Sequence, residues 1–323
     1  MVTGAGSAHP GPVTSAWSSP FELIAEMDRM HHESTTLSRY ARPGRLTSAG
    51  AYAGLLDAVP ADPAAIARTI QGLVIHEHIA GAYGVTLSDA DRRSVHLRPA
   101  AELLAGIVTR DDRPLDVPRE PEHRMAGNCR HYSVLLVTVL RARGVPARAR
   151  CGFGDYLAQG RYEDHWVGEY WNAEQRRWIM VDAQLDEFQR ELFGIDFDTM
   201  DVSRDRFLVA GDAWARCRAG RADPDTFGLT GTDEAGWWWI AGNLMRDAAA
   251  LGTTELLPWD SWGAMPEPEE TIDEERMALF DELARLTRDP DGNADELRRL
   301  CTDERLRVPP TVRNDLRHRD EPV

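Results

Sequence analysis

A cysteine, a histidine and an aspartate follow one another through the middle of the chain as Cys129, His165 and Asp182. Those three types, in reach of one another, can perform acyl transfer: a thiolate attacks a carbonyl carbon, an imidazole takes and returns the proton, and a carboxylate orients the imidazole. The setting of the thiol supports this. Val134, Leu135, Val137, Thr138 and Leu140 mark a helix apolar over too wide a face to lie on a surface. Asn128 suits its N-cap and Gly127 a sharp entry, while Arg141, Arg143 and Gly144 close it. Cys129 then falls in the first turn, where unpaired backbone N–H groups and the helix dipole stabilise a thiolate and lower the thiol pKa.

The other two residues need strands to hold them. "PARARCGF", "DHWVGEYW" and "RWIMVDAQ" have the β-branched and aromatic content of short strands. If the last two form a hairpin across "NAEQRR", residues whose numbers sum to 347 or 349 face each other. His165 is then opposite or diagonal to Asp182 on one face, and a slip of one residue would separate them. His131 lies two positions from Cys129, about 200° around a helix, and points elsewhere. Tyr132 and Ser133 share the cysteine's side.

Trp166, immediately after the histidine, is the best candidate for covering the site, with Tyr132, Arg148 and Gln184 as further substrate-side candidates. Arg148 and Arg150 could receive an anionic group, but solvated strand-face charges are the stronger expectation. Cys151 reads as core; Cys217 and Cys301 carry no signal. A zinc site from Cys129, Cys151 and nearby histidines matches no ligand spacing. His76 and His78, read as helical, point to different sides. "DPDGNADELRRL" departs from a calcium loop at Ala294 and Leu300 and reads as the turn of a helical hairpin. No metal and no cofactor are expected.

The chain has 323 residues, a formal net charge of −16 and 37 basic residues, all arginine. The charge argues against nucleic acid as a partner, and the lack of lysine removes Schiff-base and P-loop chemistry. Four scattered cysteines suggest no disulfide scaffold, and no signal peptide or membrane span is evident, so a cytoplasmic location is expected. Residues 1–20 read as a disordered leader. Helical patterns run to about Arg110, clearest in "DPAAIARTIQGLVIHEHIAGAYG" and "RPAAELLAGIVTR", and return beyond Gln189, notably in "GWWWIAGNLMRDAAAL". A catalytic domain with flanking helices over 21–262, a helical extension over 263–305 and a loose tail over 306–323 follow. The order of helices and small sheet is α+β.

"GNCRHYSVLLVTVLRARGVPAR" followed by "DHWVGEYW" and "RWIMVDAQLD" resembles the bacterial transglutaminase-like superfamily over residues 125–187. "QGLVIHEHIAGAYGV" and "NLMRDAAALGTTELLPWDSWG" are similar to a cytoplasmic branch of it. The resemblance implies a papain-like α+β core, with Cys129 as nucleophile, His165 as base and acid, and Asp182 as orienter. It leaves substrate open among peptides, amides and small acyl compounds. Hydrolysis by a peptidase or amidase is the leading expectation, with amide synthesis or a catalytically silent scaffold as alternatives. The Cys129 N–H is a natural oxyanion donor; the second donor has no signature.

Overall fold

The computed structural model describes Met1, residues 35–268 and residues 270–323. The expected leader over 1–20 lies, after Met1, outside the described residues. Asp62 caps the first long helix, α1 (Pro63–Gln71), by accepting the Ala65 N–H at 2.9 Å. The helical pattern expected to run on to Ile79 stops at Gly72. Val74 and Ile75, β-branched residues better suited to extended backbone, instead enter strand β1 (Val74–His76). It pairs in parallel with β2 (Met125–Gly127), each contributing three residues. Helix α2 (Ala100–Arg110) follows the sequence expectation.

β2 leads directly into α3 (Cys129–Ala142), which is buried from Cys129 to Arg141. This helix packs on the sheet formed by β3 (Ala147–Gly154), β4 (Tyr162–Asn172), β5 (Arg177–Val181) and β6 (Phe207–Val209), in the order β5-β4-β3-β6. These pairs are antiparallel, and the short β7 (Phe227–Gly228) adds a parallel pair to β4. The mixture of helices with an antiparallel sheet is the expected α+β class. Two glycines permit its close packing. A Cβ on Gly168 would sit 2.6 Å from Leu136 of α3, and one on Gly152 would sit 2.1 Å from the Leu208 carbonyl of β6.

Arg148 and Arg150 are not solvated, contrary to expectation. Both are buried, at 3% and 0% exposure, because acids distant in sequence meet them. Arg148 bonds Glu169 at 2.6 Å and Asp291 at 2.7 Å, and its guanidinium lies 3.9 Å from the Trp178 ring centre. Arg150 forks onto Asp247 of α6 (Trp237–Leu251) at 2.9 and 2.8 Å and donates to the Thr287 carbonyl at 2.9 Å. Burial would raise the Glu169 carboxyl, but Arg148 and then Arg150 hold it down at about 2. An acid depressed in the fold contributes stability above its unfolded pKa and loses it as pH falls toward the folded one. Glu169→Gln should therefore lower the denaturation midpoint at neutral pH, with the gap to wild type closing between pH 4.5 and about 2. A gap that stays constant through that window would refute the charge-linked contribution.

α5 (Ala210–Arg218), α6 and α7 (Glu274–Arg288) form a helical layer against β3. α7 and α8 (Ala294–Leu300) are joined by the polar turn expected at Asp289. The loose tail is corrected. Thr311–Asn314 (β9) and Arg319–Pro322 (β10) form a three-stranded sheet with β8 (Asp260–Ser261). Buried Arg98 holds this sheet through Asp260 at 2.6 Å and Glu321 at 3.0 Å, contacts spanning too much chain to be visible locally.

Candidate active site

Cys129 is the first residue of α3, and Asn128 is its cap. The His131 ring turns back, its Nδ1 accepting the Asn128 N–H at 3.2 Å, so this histidine secures the helix start and diverges from the thiol as expected. Burial pushes His131 well below its ordinary pKa.

β5 leaves the ladder after the pair Gly168–Val181. The edge of β4 at Trp166 therefore lacks a strand neighbour on that side, and the helix N-terminus occupies the opening. The Trp166 backbone and the His165 side chain both act on the Cys129 sulfur and favour its thiolate. His165 Nε2 lies 2.8 Å from Asp182 Oδ2, which leaves Nδ1 for the thiol. The observed register sums to 349, the diagonal arrangement of the two expected. Asp182 Oδ2 also accepts the Tyr156 hydroxyl at 2.8 Å, and Oδ1 accepts the Gln184 N–H at 3.1 Å. Tyr156 meets the His165 ring edge-on, with centres 6.1 Å apart.

The charge balance differs from what the helix dipole alone suggests. Burial raises the Cys129 thiol above its ordinary pKa, opposed first by the His165 bond and charge and then by the Trp166 N–H; Asp164 adds to the rise. Desolvation would lower His165, but the charge and bond of Asp182, with Cys129 behind them, hold it above its ordinary range. A raised imidazole beside a raised thiol is a pair across which one proton can pass, titrating as a unit. The arrangement suits nucleophilic attack coupled to proton transfer, with the carboxylate favouring the imidazolium.

Residues 103–183 match the profile of the transglutaminase-like superfamily, a span that takes in Cys129, His165 and Asp182. That part of the chain is similar to a transglutaminase-like domain. A protein-glutamine gamma-glutamyltransferase of Pseudomonas aeruginosa is 41% identical over 66 residues. The shared stretch is 18% of this chain and only 10% of that relative's length. No solved structure matches the chain. The superfamily points to cysteine-based acyl transfer or hydrolysis.

Around the matched segment the remaining candidates take different places. Trp166 is 1% exposed and packs in the main core with Cys151, so its backbone rather than its indole meets the sulfur. The Tyr132 hydroxyl is committed to the Val74 carbonyl at 2.9 Å, and Gln184 is buried with its amide N–H on Gln189 at 2.9 Å. Arg148 belongs to the buried ion network. Tyr156 was missed: it sits in the polar connector "GDYLAQGRYED", and its signal was an aromatic hydroxyl placed where only turn residues were needed. Asp164 was missed too. Burial pushes its carboxyl up to about 6, and it accepts the Trp239 indole N–H at 2.7 Å. His76 ends β1 and His78 lies in the turn after it, so neither is helical and their ring centres come within 5.6 Å. Among the described residues no group of three or more His, Cys, Asp or Glu could hold a metal, and no helix is long and apolar enough to cross a membrane.

Proposed function

We propose that this protein is a cysteine enzyme that takes an acyl group from an amide, ester or thioester onto Cys129. In this reading His165 removes the thiol proton through Nδ1 and returns it to the leaving group, and Asp182 fixes the tautomer from the other side. The observation that carries it is the single imidazole shared between sulfur and carboxylate, with Nε2 at 2.8 Å from Asp182. The core is papain-like, the catalytic unit spans 21–262 with 263–305 as its helical extension, and the protein works in a bacterial cytoplasm on a peptide, amide or small acyl compound. Hydrolysis is the default fate, because water is always present and transfer requires an amine held in a site that excludes it. The relative's printed activity, a glutamyltransferase, favours transfer as the second reading.

Two measurements test this. Iodoacetamide labelling near neutral pH, mapped by mass spectrometry, ranks the cysteines. Exposure alone favours Cys301, which is half-buried, whereas burial pushes the Cys301 and Cys217 thiols up to about 11 and about 12. Cys129, with a base beside it, should label faster than either. Labelling in order of exposure would leave a silent scaffold. The second measurement follows decay of an acyl-enzyme made with an activated ester. Decay indifferent to added amines supports hydrolysis; saturable acceleration with amide product replaces it by transfer.

A further inference from the structure

A second gathering of arginines lies outside the candidate active site. Four of them, Arg204 before β6, Arg216 in α5, Arg221 after it and Arg288 at the end of α7, line one cavity of about 490 Å³. The end of α5 sets two of these. The Gly220 N–H donates to the Cys217 carbonyl and the Arg221 N–H to the Arg216 carbonyl, each at 2.9 Å, with Gly220 in the left-handed region at φ 64°. On the opposite wall Arg288 Nε holds Asp212 at 2.7 Å, and Arg204 donates to the Arg288 carbonyl at 3.0 Å. Arg204 also reaches Glu169 at 3.7 Å, a carboxylate already shared by Arg148 and Arg150. Arg216 and Arg221 make no ion pair and no side-chain hydrogen bond among the described residues. Asp205 and Asp212 are the two acids in the lining, so two positive charges are in excess. The C-terminal ends of α5 and α7 favour cations, but at about half a negative charge each they offset roughly one of the two. The cavity stays positive on a chain whose formal net charge is −16.

We propose that this cavity binds a diphosphate group, carried as inorganic diphosphate or by a small phosphate ester. Its volume falls in the range of small-molecule sites, roughly 300–1,000 Å³, but it lacks the apolar and aromatic walls such sites give to organic ligands. Ala215 is the one apolar residue of the lining. Guanidiniums from a helix, a turn and a loop offer forked donors from several directions, which matches tetrahedral phosphoryl groups better than a planar carboxylate taken by one fork. Arg216 and Arg221 are the principal ligands, because neither must leave a partner to bind. Arg204 and Arg288, fastened to each other and to Asp212, form the fixed wall. The lining shares no residue with the Cys129 site, so the inference stands apart from the acyl-enzyme reading.

Isothermal titration calorimetry of the full-length protein at physiological salt tests this with inorganic diphosphate, ADP and citrate as probes. Diphosphate or ADP should bind at one site per chain, and citrate, a polycarboxylate, at least about tenfold more weakly. Diphosphate binding as tightly as ADP supports recognition of the inorganic ion; tighter binding of ADP supports an ester. Arg216→Gln and Arg221→Gln should each weaken binding by about tenfold or more, the loss of one charge-assisted contact. Arg218→Gln removes the same charge from the same helix at an exposed arginine outside the cavity, paired with Asp281 at 2.8 Å, and should leave binding unchanged. Iodoacetamide labelling of Cys129 should be the same in all three variants, which checks the fold and separates this site from the catalytic one. Failure of both phosphate compounds to bind, citrate binding as tightly as either, or an equal loss in Arg218→Gln overturns the proposal.

Discussion

Asp182→Asn should slow acyl-enzyme formation by about 10⁴-fold while the protein stays folded. Three donors surround the carboxylate: His165 Nε2 and the Tyr156 hydroxyl at Oδ2, each at 2.8 Å, and the Gln184 N–H at Oδ1, at 3.1 Å. An amide has one acceptor atom, so its NH₂ must face at least one of them. If the NH₂ takes the Oδ1 place, it meets a backbone N–H that cannot rotate away. If it takes the Oδ2 place, Tyr156 can turn its hydroxyl, but His165 must accept at Nε2 and carry its proton on Nδ1, toward the sulfur. The imidazole is then the wrong tautomer to receive the thiol proton. Stopped-flow acylation with an activated ester measures the loss, and circular dichroism checks the fold. Acylation within tenfold of wild type would move the orienting role elsewhere. Asp186, the nearest alternative in the sequence, is already engaged: it caps α4 (Glu187–Phe193) at the Gln189 N–H and accepts the Tyr83 hydroxyl at 2.7 Å.

What could be read from the sequence was local in its physical cause. The cap, apolar face and terminating charges of α3 lie within twenty residues of one another, and the hairpin register follows from a period of two and a short turn. Those features singled out Cys129, His165 and Asp182 as candidates, and the last two meet at 2.8 Å. What was misread depends on distant partners. Gly72 ends α1, but Val74–His76 becomes a strand only because Met125–Gly127 lies alongside it, and with the helix goes the argument that His76 and His78 diverge. Arg148 and Arg150 alternate with Ala147, Ala149 and Cys151 as solvated charges would. Only Asp247, Glu169 and Asp291, brought in by other elements, make their burial tolerable. The thiol pKa turns on the same point: the helix dipole is a sequence feature, whereas desolvation of Cys129 requires the whole core.

Asp247→Ala should destabilise the protein by about 3–5 kcal/mol, the cost of leaving a buried charge without its partner. Asp247 is 0% exposed and its two oxygens hold the Arg150 fork, while Oδ1 also accepts the Cys151 N–H at 3.0 Å. Alanine removes all of these at once. Arg150 would keep the Thr287 carbonyl and a longer contact to Glu169 at 3.4 Å, but Glu169 already serves Arg148 at 2.6 Å. The interior would then hold two guanidiniums around one carboxylate, with Asp291 at the edge. A fall in Tm of roughly 10 °C is expected at this chain size. Replacing both members, as Arg150→Met with Asp247→Leu, removes the stranded charge along with its partner and should recover much of the loss, since a buried pair contributes little over apolar groups of similar volume. Thermal unfolding of the wild type, the single and the double variant decides it. A double variant no more stable than Asp247→Ala would mean that the Cys151 N–H and the junction with Thr287, rather than the charge, carry the energy. The functional consequence follows from position. Cys151 precedes Gly152, the β3 partner of His165, and Thr287 lies in α7, so the network fastens the helical extension to the strand beneath the imidazole. Acylation by the single variant should therefore weaken at temperatures below its unfolding midpoint, as β3 loosens beneath His165.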